Sequence, residues 1–248
     1  MPKDLFSNHA SAYAQFRPHY PQALFDYIVS FLSEKRMAWD CATGNGQAAV
    51  QLAPIFDKVI GTEISQAQLD NAEKKPNIEY YNSPSEHTPF ADNSFDLITI
   101  ATAYHWFNHT LFYNEATRVG KNNAIVAAWT YNTIHTDDGD LKKVYDDFYD
   151  NITKPYWEPE RKWVDEEYKS IPFGFDPLPI KNFETVVEWN REQFKGYLGT
   201  WSAVRKFTDS KGFSPLNLIE NKIDDTWKEK ETKTIVFPIC LRLGIITK

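Results

Sequence analysis

The chain has 248 residues, with 34 acidic against 27 basic side chains and a net charge of −7. Its 42% apolar and 15% aromatic content is enough for a packed core and excludes a disordered chain. No apolar run reaches membrane-span length, the first ten residues lack an apolar signal core, and Cys41 and Cys240 make no disulfide framework, so a single-domain cytoplasmic protein with no membrane partner is expected.

In chain order, Pro21 opens a helix whose Leu24, Phe25, Ile28, Phe31 and Leu32 share one face. Residues 37–41 read as a strand, Ala42-Thr43-Gly44-Asn45-Gly46 as a loop, and 47–53 as a helix curtailed near Pro54. The cycle repeats with a strand over 58–62 ending at Glu63, a helix over 66–74 capped by Ser65, and a third strand over 78–81. A fourth strand at 95–101, a helix at 110–119 stopped by Gly120 and a fifth strand at 124–130 follow. Apolar strands alternating with helices predict a doubly wound α/β fold, a mostly parallel sheet covered on both faces.

The second half differs. Residues 132–180 are rich in Asp, Tyr, Trp and Pro, with one expected helix at 141–149, and read as a lid or substrate-binding insertion after the fifth strand. A strand at 183–189, helices at 193–206 and 215–228, and a closing β segment at 232–246 complete the chain. Pro238 is expected to interrupt that segment at a sheet edge, where its missing N–H faces away from the ladder. The partition is a helical cap at 1–35, a cofactor-binding core at 36–131, the insertion at 132–180, and closing elements at 181–248.

The chemistry concentrates in the first loop. Asp40-x-x-x-Gly44-x-Gly46 lies between strand and helix, where glycines admit close approach of a ligand to the backbone. Glu63, ending the next strand, can accept hydrogen bonds from ribose hydroxyls. Gly44-Asn45-Gly46-Gln47-Ala48-Ala49 also satisfies the dinucleotide pattern Gly-x-Gly-x-x-Gly/Ala, so NAD is one candidate. Asp40 at the loop mouth is a poor companion for a pyrophosphate, but it suits a ligand carrying an ammonium and a sulfonium. That favours S-adenosyl-L-methionine. The rivals are an NAD-dependent oxidoreductase and a catalytically silent cofactor-binding or partner-binding domain. The acidic balance argues against nucleic acid as partner.

Trp-Asp-Cys-Ala-Thr-Gly-Asn-Gly-Gln at 39–47, Val-Ile-Gly-Thr-Glu at 59–63, Ser-Pro-Ser-Glu at 83–86, Pro-Phe-Ala-Asp-Asn-Ser-Phe-Asp-Leu-Ile at 89–98 and Ala-Thr-Ala-Tyr-His-Trp-Phe at 101–107 resemble the class I S-adenosylmethionine-dependent methyltransferases. With the opening Phe-Ser-Asn-His-Ala-x-x-Tyr-x-x-Phe-Arg-Pro-x-Tyr-Pro at 6–21 and Tyr-Leu-Gly-Thr-Trp-Ser at 197–202, the chain looks most like the trans-aconitate methyltransferase-like group, related to the ubiquinone and menaquinone methyltransferases. One departure is Ala42-Thr43 where the first glycine of the usual triplet belongs. The resemblance implies a seven-stranded mixed sheet of Rossmann-like methyltransferase type. It also implies that Asp40, Ala42, Gly44 and Gly46 line the methionine part of the cofactor. Glu63 would hold the ribose, Ile64 would lie on the adenine face, and Ser85 and Glu86 would meet the adenine edge. Ala101 would face the methionine end, with Tyr13 and Arg17 closing over the site.

Methyl transfer from a sulfonium is an in-line displacement that needs alignment and exclusion of water, and a base only if the nucleophile arrives protonated. His105, after the fourth strand, is the base candidate because an unperturbed imidazole titrates near neutrality; packing beside Trp106 and positioning ligand is the other reading. Tyr104, Trp106, Trp129 and Tyr131, with parts of the insertion and of residues 197–205, are expected to form the pocket for a small-molecule acceptor. Arg161 or Arg205 could meet an acceptor carboxylate, although each also reads as a solvated surface arginine. The remaining histidines have no metal-ligand spacing, so no metal is expected. A monomer and a homodimer are equally compatible with the sequence.

Overall fold

The computed structural model describes residues 16–228 and 231–248. Helix α1 (Gln22–Val29) buries Leu24, Phe25, Ile28 and Val29, the face its apolar spacing predicts. Four strands then alternate with helices: β1 (Met37–Cys41), α2 (Gln47–Leu52), β2 (Lys58–Glu63), α3 (Gln66–Asp70), β3 (Ile78–Asn82), β4 (Phe95–Ala101) and α4 (His109–Val119). Strand β5 (Gly120–Tyr131) is followed by α5 (Gly139–Asp147), a π turn over Phe148–Thr153, α6 (Arg161–Asp165) and β6 (Asp176–Pro177). The chain closes with β7 (Phe183–Trp189), α7 (Arg191–Gly199), α8 (Ser202–Lys211), α9 (Glu220–Thr226) and β8 (Lys233–Ile245).

The sheet order is β3-β2-β1-β4-β5-β8-β6, with β7 also paired to β8. Strands β1 to β5 pair in parallel, whereas β8 runs antiparallel to β5, β6 and β7. Because β7 takes Lys233 to Ile239 and β6 takes Gly244 and Ile245, the two share the seventh position along one edge of β8. The fold is therefore the expected doubly wound, mostly parallel α/β sheet, with an antiparallel β8.

Successive side chains of a strand point to opposite faces, and both faces here are covered. Ala38, Val59, Leu97, Ile125 and Ala127 feed one core, which α1 and α2 close. Trp39, Cys41, Ile60, Ile98, Ile100 and Val126 feed the other, beneath α4. Strand order reverses at β1 and β4, so a crevice opens beyond their C-terminal ends, the usual place for a ligand in an open parallel sheet.

Several boundaries differ from expectation for identifiable reasons. Helix α3 is capped by Ser65 but stops at Asp70 instead of Lys74. The Glu73 backbone is diverted, its N–H to Asn45 O and its carbonyl to the Tyr80 hydroxyl. The 193–206 stretch breaks into α7 and α8 at Thr200, whose hydroxyl bonds back to Tyr197 O at 2.6 Å. Likewise 215–228 divides into a 3-10 turn (Pro215–Leu218) and α9. Strand β8 is not interrupted at Pro238. That residue opposes Glu184 of β7, and its carbonyl accepts from Asn132 N, one residue past the end of β5. The missing N–H thus falls where the neighbouring strand has ended, and no ladder bond is lost.

Candidate functional site

The loop between β1 and α2 turns on three left-handed residues, Ala42 (φ 53°), Gly44 (φ 56°) and Gly46 (φ 86°). Thr43 N bonds to Thr62 O at 2.8 Å and Gly46 N to Thr43 O at 2.9 Å, so the loop is tied to β2 and to itself. A Cβ on Gly44 would meet no atom within 4 Å, because that residue borders the crevice. One on Gly46 would collide with the Tyr80 hydroxyl, so Gly46 serves the packing of β3 under the loop. Gly46 therefore does not line the crevice as expected; Thr43, Asn45, Gln47 and Ala48 do, beside Ala42 and Gly44.

Asp40 is the second correction. It does not stand at the loop mouth but lies fully buried beneath it. It accepts from Thr99 Oγ1 at 2.9 Å, from the Thr43 hydroxyl and from Ala49 N at 3.1 Å. Burial raises its pKa to about 6 against the lowering effect of those bonds, with Glu63 adding to the rise. Asp40 braces the loop from behind, and the choice between cofactors cannot be drawn from its charge facing a ligand.

Glu63 lies on the crevice wall, its carboxylate accepting from Gly44 N (3.1 Å), Ile64 N (2.9 Å) and Ser65 N (3.0 Å). It therefore organises both the glycine loop and the start of α3, and a diol ligand has to share or displace those donors. Ile64, Ser85, Glu86 and Ala101 border the same crevice. Glu86 is oriented by Ser85 Oγ at 2.9 Å and by Asn108 N, the N-cap of α4, at 3.0 Å. The crevice encloses about 1020 Å³, including space open to solvent. An adenosyl cofactor fits this donor set: a carboxylate on one wall, the apolar Ile64 and Phe107, and a loop without an obstructing Cβ at Gly44.

A second cavity adjoins the first and shares Thr102 and Trp106 with it. Thr102 holds φ at 56°, a costly conformation for a β-branched residue. Its N–H bonds to Trp129 O at 2.7 Å and its hydroxyl to the Tyr20 hydroxyl at 2.8 Å. His105, Trp106, Tyr131, Trp157, Tyr197 and Trp201 supply aromatic walls, and Arg17 and Arg161 bring positive charge. Arg17 donates to the Tyr131 hydroxyl at 2.6 Å and to Thr200 O at 3.3 Å. Arg161 lies 4.4 Å from the Trp157 ring centroid, its Nε bonded to Asp165 Oδ1 and the Tyr149 hydroxyl at 2.9 Å each.

Further expectations change here. Arg17 borders the second cavity and not the first. Tyr104 is core: only 1% exposed, it packs on Phe107, Phe112 and Phe173 and donates to Pro172 O at 2.7 Å. Trp129 is also core, fully buried under Tyr20 and Phe25. Arg161 is no solvated surface residue; its side chain is 20% exposed. Tyr13 lies outside the described residues. Trp157 and Tyr197 lie in the insertion and in the 197–205 stretch expected to supply part of the pocket, but aromatic residue type alone does not separate a core ring from a cavity wall.

His105 keeps its place but not its expected basicity. It is 7% exposed, with Nδ1 2.7 Å from the Tyr168 hydroxyl. Burial, reinforced by the charges of Arg161 and His109, pushes its pKa down to about 3. It is therefore neutral at neutral pH and a weak base, contrary to the role assigned from an unperturbed imidazole.

Residues 39–128 match the family described as "Methyltransferase domain". A candidate methyltransferase of Dictyostelium discoideum is 39% identical over 207 residues, covering 82% of this chain and 79% of that one. A candidate S-adenosylmethionine-dependent methyltransferase of Saccharomyces cerevisiae is 30% identical over 143 residues, covering 53% of this chain and 49% of its own length. A solved structure, a candidate type II methyltransferase from Anaeromyxobacter dehalogenans, superposes with a TM-score of 0.85 at 34% identity, covering 94% of this chain and 99% of that one.

Proposed function

Because this chain belongs to the class I S-adenosylmethionine-dependent methyltransferases, we propose that it methylates a small carboxylate-bearing acceptor in the second cavity, in the manner of the trans-aconitate methyltransferase-like group. The membership removes the nicotinamide-dependent alternative. The observation that carries the acceptor reading is the second cavity itself: two arginines within aromatic walls, joined to the glycine-loop crevice through Thr102 and Trp106.

When bound, the cofactor supplies an electrophilic methyl group on a sulfonium whose departure needs no further activation. In this reading Glu63 holds the ribose hydroxyls, Ile64 covers the adenine, and Ser85 and Glu86 meet its edge. Ala42, Gly44 and Ala101 border the methionine end. Arg161 and Arg17 hold the acceptor carboxylate, for which a forked guanidinium is suited. A carboxylate arrives ionised and needs no base, which agrees with a His105 held neutral. Trp106, common to both cavities, excludes water where the two ligands meet, and residues 132–180 act as the substrate-binding insertion.

The test is a thermal shift with S-adenosylhomocysteine and NAD side by side, then transfer of labelled methyl to a panel of small carboxylates and phenols. A ligand at 100 times its Kd adds about 2.7 kcal/mol of stability. S-adenosylhomocysteine alone should raise Tm, and carboxylates should outpace phenols. Methylated phenols with no methylated carboxylate would refute the acceptor assignment.

A further inference from the structure

The chain around α6 makes an unusual turn. Glu167 and Tyr168 both adopt left-handed backbone conformations, at φ 56° and 58°, with no glycine to ease them. The turn is held by Glu167 N to Val164 O at 2.9 Å and Tyr168 N to Trp163 O at 2.8 Å. From β8, Arg242 clamps the Tyr168 and Lys169 carbonyls at 3.1 Å each. The result is a fully buried Tyr168 whose hydroxyl sits 2.7 Å from His105 Nδ1. The same short segment brings Arg161 to the second cavity.

The direction of this hydrogen bond follows from the groups around the phenol. A buried hydroxyl proton needs an acceptor, and His105 Nδ1 is the one partner within hydrogen-bond geometry of the Tyr168 hydroxyl among the described residues. With Nδ1 protonated, the phenol proton would have no acceptor within hydrogen-bond geometry among the described residues, so it is directed to Nδ1. A neutral imidazole that accepts at Nδ1 carries its proton on Nε2. Nε2 has no hydrogen-bond partner among the described residues, and His105 lines the second cavity.

We infer that Tyr168 is a positioning residue that locks His105 as the neutral Nε2–H tautomer, so that His105 donates a hydrogen bond to the acceptor instead of taking a proton from it. The acceptor half of this inference rests on the proposed use of the second cavity; the tautomer half does not. His105 would then recognise a lone pair on the acceptor, such as a carboxylate oxygen, and would disfavour a group that presents only a proton. The charged and titratable groups around it are Arg161, Arg17, Glu158, His109 and Tyr168. Arg161 opposes a second proton on the ring.

The experiment is long-range 1H–15N correlation on the uniformly 15N-labelled full chain without any acceptor, with His105→Gln used to assign the ring. A bare Nδ1 and a protonated Nε2, unchanged from pH 5 to pH 8, are expected. In Tyr168→Phe the ring should populate both tautomers, since the donor to Nδ1 is gone. A protonated Nδ1 in the unmodified protein, or a ring that titrates within that pH range, would overturn the inference even if Tyr168→Phe does not fold. Because no acceptor is present, a failed carboxylate screen would count against the proposed substrate class and leave the tautomer result standing.

Discussion

Replacing Glu63 by Gln removes one charge and one acceptor oxygen at nearly constant shape. In the structure one carboxylate oxygen takes the Ile64 and Ser65 amides at 2.9 and 3.0 Å and the other takes Gly44 N at 3.1 Å. The Gln carbonyl can keep the first pair, but its NH2 group then faces the Gly44 N–H, donor against donor. Hydrogen bonds to a charged acceptor contribute about 1.5–3 kcal/mol and neutral ones about 1 kcal/mol, so the fold should lose about 1–3 kcal/mol. If the carboxylate also holds the ribose, S-adenosylhomocysteine should bind about 1.5–3 kcal/mol more weakly, a rise in Kd of roughly 10- to 100-fold. Calorimetric titration with S-adenosylhomocysteine and its 2′-deoxy analogue, in both proteins, separates the ribose contact from damage to the loop. Removing the 2′-hydroxyl should be costly in the unmodified protein and nearly neutral in Glu63→Gln, because contacting groups are energetically coupled. Equal penalties in the two proteins would refute the ribose role, and unchanged affinity of the variant for S-adenosylhomocysteine would refute it outright.

Gly46→Ala combines a left-handed backbone with a collision against Tyr80, and should lower stability by about 2 kcal/mol or more, roughly 4–8 °C in Tm; a shift under about 2 °C would contradict the packing role. Asp40 has a folded pKa of about 6 against 3.8 for the ordinary group, so the folded state binds the proton more tightly and its contribution to stability falls as pH rises through that window. Measured by urea unfolding, the stability of the unmodified protein minus that of Asp40→Asn should therefore shrink by about 2–3 kcal/mol between pH 4 and pH 7.5, and a difference that grows with pH would reverse the assignment. Arg161→Met should raise KM for a carboxylate acceptor by about tenfold or more, the loss of a charge-assisted bond, while S-adenosylhomocysteine affinity stays within about twofold. Parallel loss of both affinities would mean that Arg161 supports the fold and not the acceptor.

The pattern of short apolar strands, helices and turn residues was legible without coordinates, because it depends on chemistry a few residues apart. Ser65 as a cap, Gly120 as a helix stop and the glycine loop between β1 and α2 are local signals of that kind. So is Glu63 at a strand end, next to a loop that must follow β1 on the same side of a parallel sheet. What the tertiary structure alone decided concerns partners far apart in sequence. Asp40 turns inward because Thr99, on β4, is placed to receive it, and Gly46 is required because Tyr80, on β3, lies beneath it. Tyr104 and Trp129 became core while Trp157 and Tyr197 became cavity wall, a division that residue type does not encode. The proton on His105 is set by its burial and by a tyrosine 63 positions away. Desolvation and long-range contact exist only once the chain has packed, so the elements and the cofactor loop can be read from sequence, but not the ionisation and orientation of the groups that surround them.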